Sequence, residues 1–299
     1  MAAPKTVVAG FDGSAQSRSA VWWAAYEASS RNAPLLIVHA FPVPLEELTR
    51  LRLPSEALEI GPLRSAAERL LDELAGECGS MLPSLEVHTE VRMGHPAAIL
   101  GDAAAESGLL VLGPPGLSRT RRVLLGSASA ELVRTAPAPV VVVRGEREHQ
   151  RAAQDPAHFE RVVVGVDGSA CSVRAIEFAH EFASRHQAGL LALLAWNQLP
   201  TDAIPAASGW AMDWGDITRA CQRELSESLA GYRERYPEVS VHQEVATSQP
   251  AAEALLTAAE NADLLIVGTH GRGTFRATLL GSVSHAVVHY APCPVAVVR

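Results

Sequence analysis

The stretch "VVAGFDGSAQS" near the start of the chain comes back as "VVVGVDGSACS", with Asp12 matched by Asp167 at an offset of 155. The same offset carries Gly113 to Gly268, Gly116 to Gly271, Gly126 to Gly281 and Ser127 to Ser282, and it aligns "APAPVVVVR" with "APCPVAVVR". A repeat on this scale is a whole domain written twice, so whatever fold the chain takes must close its own core within about half the length. With 299 residues and 48% hydrophobic content there is material for two such cores. Between the copies, "GEREHQRAAQDPAHFE" is charged and has no apolar period, as an exposed connection does. The sequence therefore divides into a first domain over residues 1–146, a linker over 147–158 and a second domain over 159–299.

Within each copy, apolar runs alternate with helical patterns. In the second, "RVVVGV" reads as a strand, and Ala175, Phe178, Ala179 and Phe182 follow at helical spacing. "AGLLALLAW", "VSVHQEV", "DLLIVG" and "PVAVVR" give four more strands. "TRACQRELSESLAGYRERY" reads as one long helix, and "PAAEALLTAAENA" and "SVSHAVVHYA" as two shorter ones. Continuous Val, Leu and Ile runs separated by helices indicate a parallel sheet buried on both faces. The expected architecture is α/β, two tandem doubly wound domains of the Rossmann-like type, each with a five-stranded parallel sheet and helices on both faces. Ligands of such sheets sit beyond the carboxyl ends of the strands, where the winding reverses.

The loops after the fourth strands therefore carry the most weight. Both copies give Gly, two residues, Gly, nine residues, then Gly-Ser, at Gly113, Gly116, Gly126 and Ser127, and again at Gly268, Gly271, Gly281 and Ser282. Glycine permits positive φ and close backbone approach, and the helix that follows offers unpaired N–H groups at its positive end. That combination suits phosphate, with Ser127 and Ser282 capping the helix or donating a hydroxyl. The plainer alternative is a turn and a cap without a ligand. Asp12 and Asp167 end the first strand of each copy in "DGS", where an Asx turn competes with a carboxylate facing a ribose or a phosphate-bound Mg²⁺. His270, inside the second glycine loop, suits either a phosphate contact or an unliganded loop position.

These motifs together resemble the universal stress protein family in its tandem two-domain form, over nearly the whole chain. The G-2x-G-9x-G-[ST] spacing is that of the family's ATP-binding branch. The resemblance implies the adenine nucleotide alpha hydrolase-like fold and ATP, with or without Mg²⁺, as ligand. It assigns the phosphates to the glycines and serines above, with Asp12, Gly13, Asp167 and Gly168 beside them. Adenine would be read by backbone at the end of the second strand, here Ala40 and Ala195. It further implies a stress-induced regulator, a homodimer, an unidentified regulatory protein partner, and at most weak hydrolysis.

The two copies differ where it matters. Pro114 and Pro115 stand where the second copy has Thr269 and His270, and proline has no N–H to donate. The second copy is therefore expected to hold nucleotide more tightly, with Arg119, Arg121 and Arg122 as a partial counterweight in the first. A one-residue slip near Gly94-His95-Pro96 and Ser248-Gln249-Pro250 is compensated before the fourth strand.

Other chemistries lack their residues. A dinucleotide-binding fingerprint would place G-x-G-x-x-G after the first strand, where "GFDGSA" and "GVDGSA" stand. No Lys follows either glycine loop as a P-loop requires, which also argues for slow hydrolysis. "GSASA" and "GSVSH" do not make a nucleophile elbow. His285 and His289 share a helix face but have Ala286 where a zinc protease needs Glu, so surface or contact roles are expected rather than zinc. Cys171 opens a helix, where a thiolate is stabilised, but it has no neighbouring cysteine, and a bland thiol is the simpler reading. Trp210 and Trp214 pack the longer insert after the second strand or cover a ligand edge. The net charge of −8 disfavours nucleic acid as a partner. No apolar run reaches the roughly 20 residues of a membrane helix. A cytoplasmic protein with reduced cysteines is expected.

Overall fold

The computed structural model describes residues 5–41, 60–114, 126–144, 159–196, 214–271 and 280–299, with the side chains of Ile60 and Trp214 left aside. Gly116, Pro115, Arg119, Arg121, Arg122, Trp210 and the linker over 147–158 lie outside the described residues. The chain separates into two compact units, Met1–Pro156 and Ala157–Arg299.

In the first unit, β1 (Val7–Phe11) lies parallel to β2 (Leu35–Phe41) and to β4 (Leu109–Leu112), with Val7 opposite both Leu35 and Leu109. β3 (Val87–Met93) adds beyond β2 and β5 (Val140–Val142) beyond β4, so the strand order is β3-β2-β1-β4-β5. α1 (Ala15–Ser30), α2 (Ile60–Met81), α3 (Pro96–Ala105) and α4 (Ser127–Thr135) supply the covering layers. The central strands are buried through every residue, Val7 to Phe11 and Leu109 to Leu112 alike, which is what a sheet covered on both sides requires of its sequence.

The second unit repeats this plan. β6 (Arg161–Val166) pairs in parallel with β7 (Gly189–Ala195) and β9 (Leu264–Gly268). β8 (Val241–Ala246) lies beyond β7 and β10 (Val295–Val298) beyond β9. Its helices are α5 (Ala170–His186), α6 (Trp214–Ser228), α7 (Tyr232–Arg235), α8 (Ala251–Ala259) and α9 (Ser282–Tyr290). The single long helix expected over the α6 stretch is broken. Gly231 takes φ +82°, a left-handed conformation that costs glycine little and that no helix continues through, and α7 starts afresh after it.

The one-residue slip now has a place. Leu35 and Leu190, which differ by the usual 155, are register partners of Val87 and Val241, which differ by 154. α3 begins at Pro96 and α8 at Ala251, so the offset of 155 returns with the helix. Pro96 accordingly occupies the first helical position, whereas Pro250 sits one step earlier as the cap; both places tolerate a missing N–H. In each unit the winding reverses between the first strand and the fourth, which puts Asp12 beside Gly113 and Asp167 beside Gly268 at the switch points.

Candidate functional site

The turn after each first strand is built the same way. Asp167 Oδ1 accepts from Ser169 N–H at 2.9 Å, closing an Asx turn, and Gly168 takes φ +72° to let it close. Ser169 then caps α5 by accepting from Ser172 N–H at 3.1 Å, and Ser172 Oγ accepts from Asp167 N–H at 3.1 Å. In the first unit, Asp12, Gly13 at φ +85°, Ser14 and Ser17 form the same circuit at 2.9, 3.1 and 3.2 Å. Burial pushes the Asp12 carboxyl up, but the hydrogen bonds from Ser14, Ser17 and the backbone outweigh it and hold the group below the usual carboxylate range. The Asx-turn alternative therefore describes one carboxylate oxygen. The other oxygen of Asp167, Oδ2, faces Gly271, where a Cβ would come within 2.5 Å of it. The last serine of "DGSAQS" and "DGSACS" had no assigned role; its signal was its presence in both copies.

The described glycines after the fourth strands do not take the positive φ that glycine would permit there. Neither Gly113 nor Gly268 has positive φ, and neither do Gly271, Gly126 and Gly281. A Cβ on Gly113 would lie 2.9 Å from the carbonyl carbon and oxygen of Gln16 and from Ser17 N, all backbone of the first turn of α1. A Cβ on Gly268 would lie 2.8 Å from Cys171 Cβ and 3.1 Å from its carbonyl carbon. These two glycines thus let a helix approach the sheet. Gly126 and Gly281, rather than Ser127 and Ser282, hold the cap positions of α4 and α9, with φ −62° and −59°. Neither cap has a side chain bonded across it, so the N–H groups of the first turn remain without a side-chain acceptor. Gly281 N–H donates to Thr269 O at 2.9 Å. Ser284 Oγ donates to Gly268 O at 2.6 Å and thereby ties α9 to the end of β9, as Ser129 ties α4 to Gly113 at 3.4 Å.

The expected contrast between Thr269-His270 and Pro114-Pro115 rests in part on an N–H group that is engaged within the protein. Thr269 N–H donates to Val298 O at 2.9 Å. Proline at the matching position, Pro114, cannot make such an internal bond, and the ranking of the two sites loses that part of its basis. What the second copy does offer is the His270 ring. Nδ1 lies 3.0 Å from Thr269 Oγ1, and Nε2 is buried with no hydrogen-bond partner.

These elements enclose a cavity of about 510 Å³ in the second unit. Its apolar wall comes from Gly165, Leu193, Val267 and Leu255, and its polar end from Asp167, Ser172, His270, Ser282, Ser284 and His285. Of the residues picked out from sequence, Asp167, Ala195, Gly268, His270, Gly271, Gly281 and Ser282 line it; Gly168 instead shapes the turn behind. In the first unit Asp12, Gly13, Ala40 and Gly113 hold the corresponding positions at strand ends and Gly126 and Ser127 those at the helix start, and Gly116 falls outside the described residues.

The remaining candidates relate to this cavity in different ways. His285 lines it and is exposed, its ring centroid 4.4 Å from that of His289, and no group of three metal-binding side chains exists among the described residues. All four cysteines are free; Cys78, Cys221 and Cys293 are buried and Cys171 partly so. Burial raises the Cys171 thiol, but contacts from Thr269, Arg174 and the His270 backbone outweigh it and bring the group below the usual thiol value. Trp214 opens α6. No helix among the described residues is long and apolar enough to cross a membrane.

Comparison with known proteins places this arrangement. A universal stress protein of Mycolicibacterium smegmatis is 38% identical over 295 residues, covering 98% of this chain and 96% of its own. One from Mycobacterium tuberculosis is 35% identical over 301 residues, with 98% and 96% covered. The crystal structure of a universal stress protein from Archaeoglobus fulgidus superposes with a TM-score of 0.73 at 20% identity over 98% of both chains, a likeness of fold. The universal stress protein family model matches twice, over residues 4–144 and 158–299, and the chain belongs to that family.

Proposed function

We propose that the second unit binds an adenine nucleotide, ATP first among them, and that the protein acts as a nucleotide-responsive regulator of the stress response. The observation that carries this reading is the cavity of about 510 Å³ at the switch point, lined by apolar Leu193, Leu255 and Val267, by His270, and by Gly281 and Ser282 at the α9 N-terminus. An apolar wall suits a base, and N–H groups at a helix start suit phosphate. Ala195, at the end of β7, would meet the adenine; Gly271, Gly281 and Ser282 would meet the phosphates. Asp167 is the only acid among the described residues that line the cavity, and its Oδ2 suits a phosphate-bound Mg²⁺, which would neutralise charge there.

The same reading extends to Asp12, Gly13, Ala40, Gly113, Gly116, Gly126 and Ser127 in the first unit through the shared spacing. It also takes in the domain limits at 1–146 and 159–299, a cytoplasmic location, a homodimer and a regulatory protein partner. Regulation is favoured over turnover because neither glycine loop is followed by a Lys to neutralise a leaving phosphate. Mass spectrometry of the fraction released by heating the purified protein is expected to show an adenine nucleotide. No released nucleotide, together with no ATP binding by calorimetry, refutes the reading.

A further inference from the structure

Each unit carries a glycine near the end of its central strand, Gly10 in β1 and Gly165 in β6, and the two are covered differently. Ala9 is the register partner of Val111, and Val164 of Ile266. One step further along, Leu112 of β4 stands beside Gly10 and Val267 of β9 beside Gly165. Leu100 of α3 and Leu255 of α8 reach the same two glycines from the helix layer.

The space left above the glycine differs accordingly. A Cβ on Gly165 would lie 3.3 Å from both terminal methyl carbons of Leu255 and 3.5 Å from Val267 Cγ1. A Cβ on Gly10 would lie 2.9 Å from Leu112 Cδ2 and 3.1 Å from Leu100 Cδ1. Gly10 is buried, whereas Gly165 keeps part of its surface open and lines the cavity with Leu193, Leu255 and Val267. The one carbon that leucine has beyond valine thus fills, in the first unit, a place over the central strand that the second unit leaves open. The strand on the other side carries the opposite exchange, Val38 where β7 has Leu193, but Leu112 Cδ2 still covers Gly10.

We propose that Leu112 and Val267 decide which unit takes the nucleotide: the apolar wall is open for a base over Gly165 and closed by Leu112 over Gly10, so the second unit binds more tightly. The inference rests on the nucleotide reading above. Leu112 and Val267 are 4% and 3% exposed, and side chains packed to that degree do not swing aside for a rigid planar ring. One methylene more or less in an apolar pocket changes binding by about 10–200-fold. This ordering of the units requires no N–H donor from either glycine loop, so it stands apart from the contrast between Thr269-His270 and Pro114-Pro115.

The test is isothermal titration of the full chain with ATP and Mg²⁺, comparing wild type, Val267→Leu and Leu112→Val, each checked by circular dichroism and thermal melting. Each substitution installs the residue that the other unit already carries at that place. Wild type is expected to bind one equivalent tightly and a second about tenfold or more weaker. Val267→Leu should weaken the tight phase by about tenfold or more, and Leu112→Val should bring the second equivalent to within about tenfold of the first. If Val267→Leu does not fold, Leu112→Val decides alone, and an unchanged weak phase there overturns the proposal. Two equal sites in wild type, or undiminished affinity in folded Val267→Leu, overturn the role of these residues and leave the nucleotide reading intact. No binding by wild type overturns the nucleotide reading, and this inference with it.

Discussion

Replacing Gly268 by alanine would set a methyl carbon 2.8 Å from Cys171 Cβ, 3.1 Å from its carbonyl carbon and 3.3 Å from its carbonyl oxygen. Two of these neighbours are backbone in the first turn of α5, and a helix start cannot yield as a side-chain tip does. Relief requires moving α5 away from β9, which costs about 1–3 kcal/mol as overpacking does elsewhere. At about 2–4 °C per kcal/mol for a unit of this size, the melting temperature of the unliganded protein should fall by roughly 2–12 °C. Gly113→Ala should behave alike, because its Cβ meets three backbone atoms of α1 at 2.9 Å. Gly76→Ala is the control. Its Cβ would have nothing within 4 Å, it lies inside α2, and alanine there should stabilise by about 0.5–1 kcal/mol. The assay is thermal unfolding by circular dichroism and calorimetry, with no nucleotide present. If Gly268→Ala melts with wild type while its ATP affinity drops, the glycine serves ligand approach rather than helix packing, and the argument fails.

Two further outcomes follow from buried and half-buried titratable groups. His180, only 1% exposed, donates from Nδ1 to Ile176 O at 2.8 Å and stacks on Tyr232 at 4.6 Å; burial pushes its pKa below the usual histidine value, against the smaller upward pull of that bond. As pH falls, the unfolded chain binds this proton first, so the stability is intact above about pH 6.5 and lost below it. The melting temperature of wild type should accordingly fall more between pH 7.5 and 5.5 than that of His180→Phe, and parallel curves reject the assignment. Among the thiols, Cys171 is lowered and Cys78 is pushed up to about 11, by burial first and by Glu77 beside it. Iodoacetamide at pH 7.5 should therefore label Cys171 well before Cys78, as read by peptide mass; equal rates would contradict the assigned environments.

The duplication and the alternation of apolar runs with helical patterns were legible in one dimension because both are local or periodic. Strands buried on both faces must be apolar throughout, and "VVVGV" and "LLIV" say so without a partner in view. The break at Gly231 was legible only as a glycine, since its left-handed φ depends on how the chain turns toward β8. At the site, spacing named residues that line the cavity but left unread the packing that several of them serve. Gly268 and Gly113 read as ligand-facing because glycine records only the absence of a side chain, and the atom that needs the space belongs to a helix about a hundred residues away in sequence. The N–H group of Thr269 read as a free donor, yet Val298 O takes it, and that acceptor is not near in sequence. His285 was set aside for want of a zinc partner; its place on the cavity wall follows from the rotation of α9, which Ser284 fixes by bonding to Gly268. Composition and periodicity therefore determined which elements form and how often. The direction of each polar group was decided by contacts between strand ends and helix starts, because a hydrogen bond depends on distance and angle and carries no record of separation along the chain.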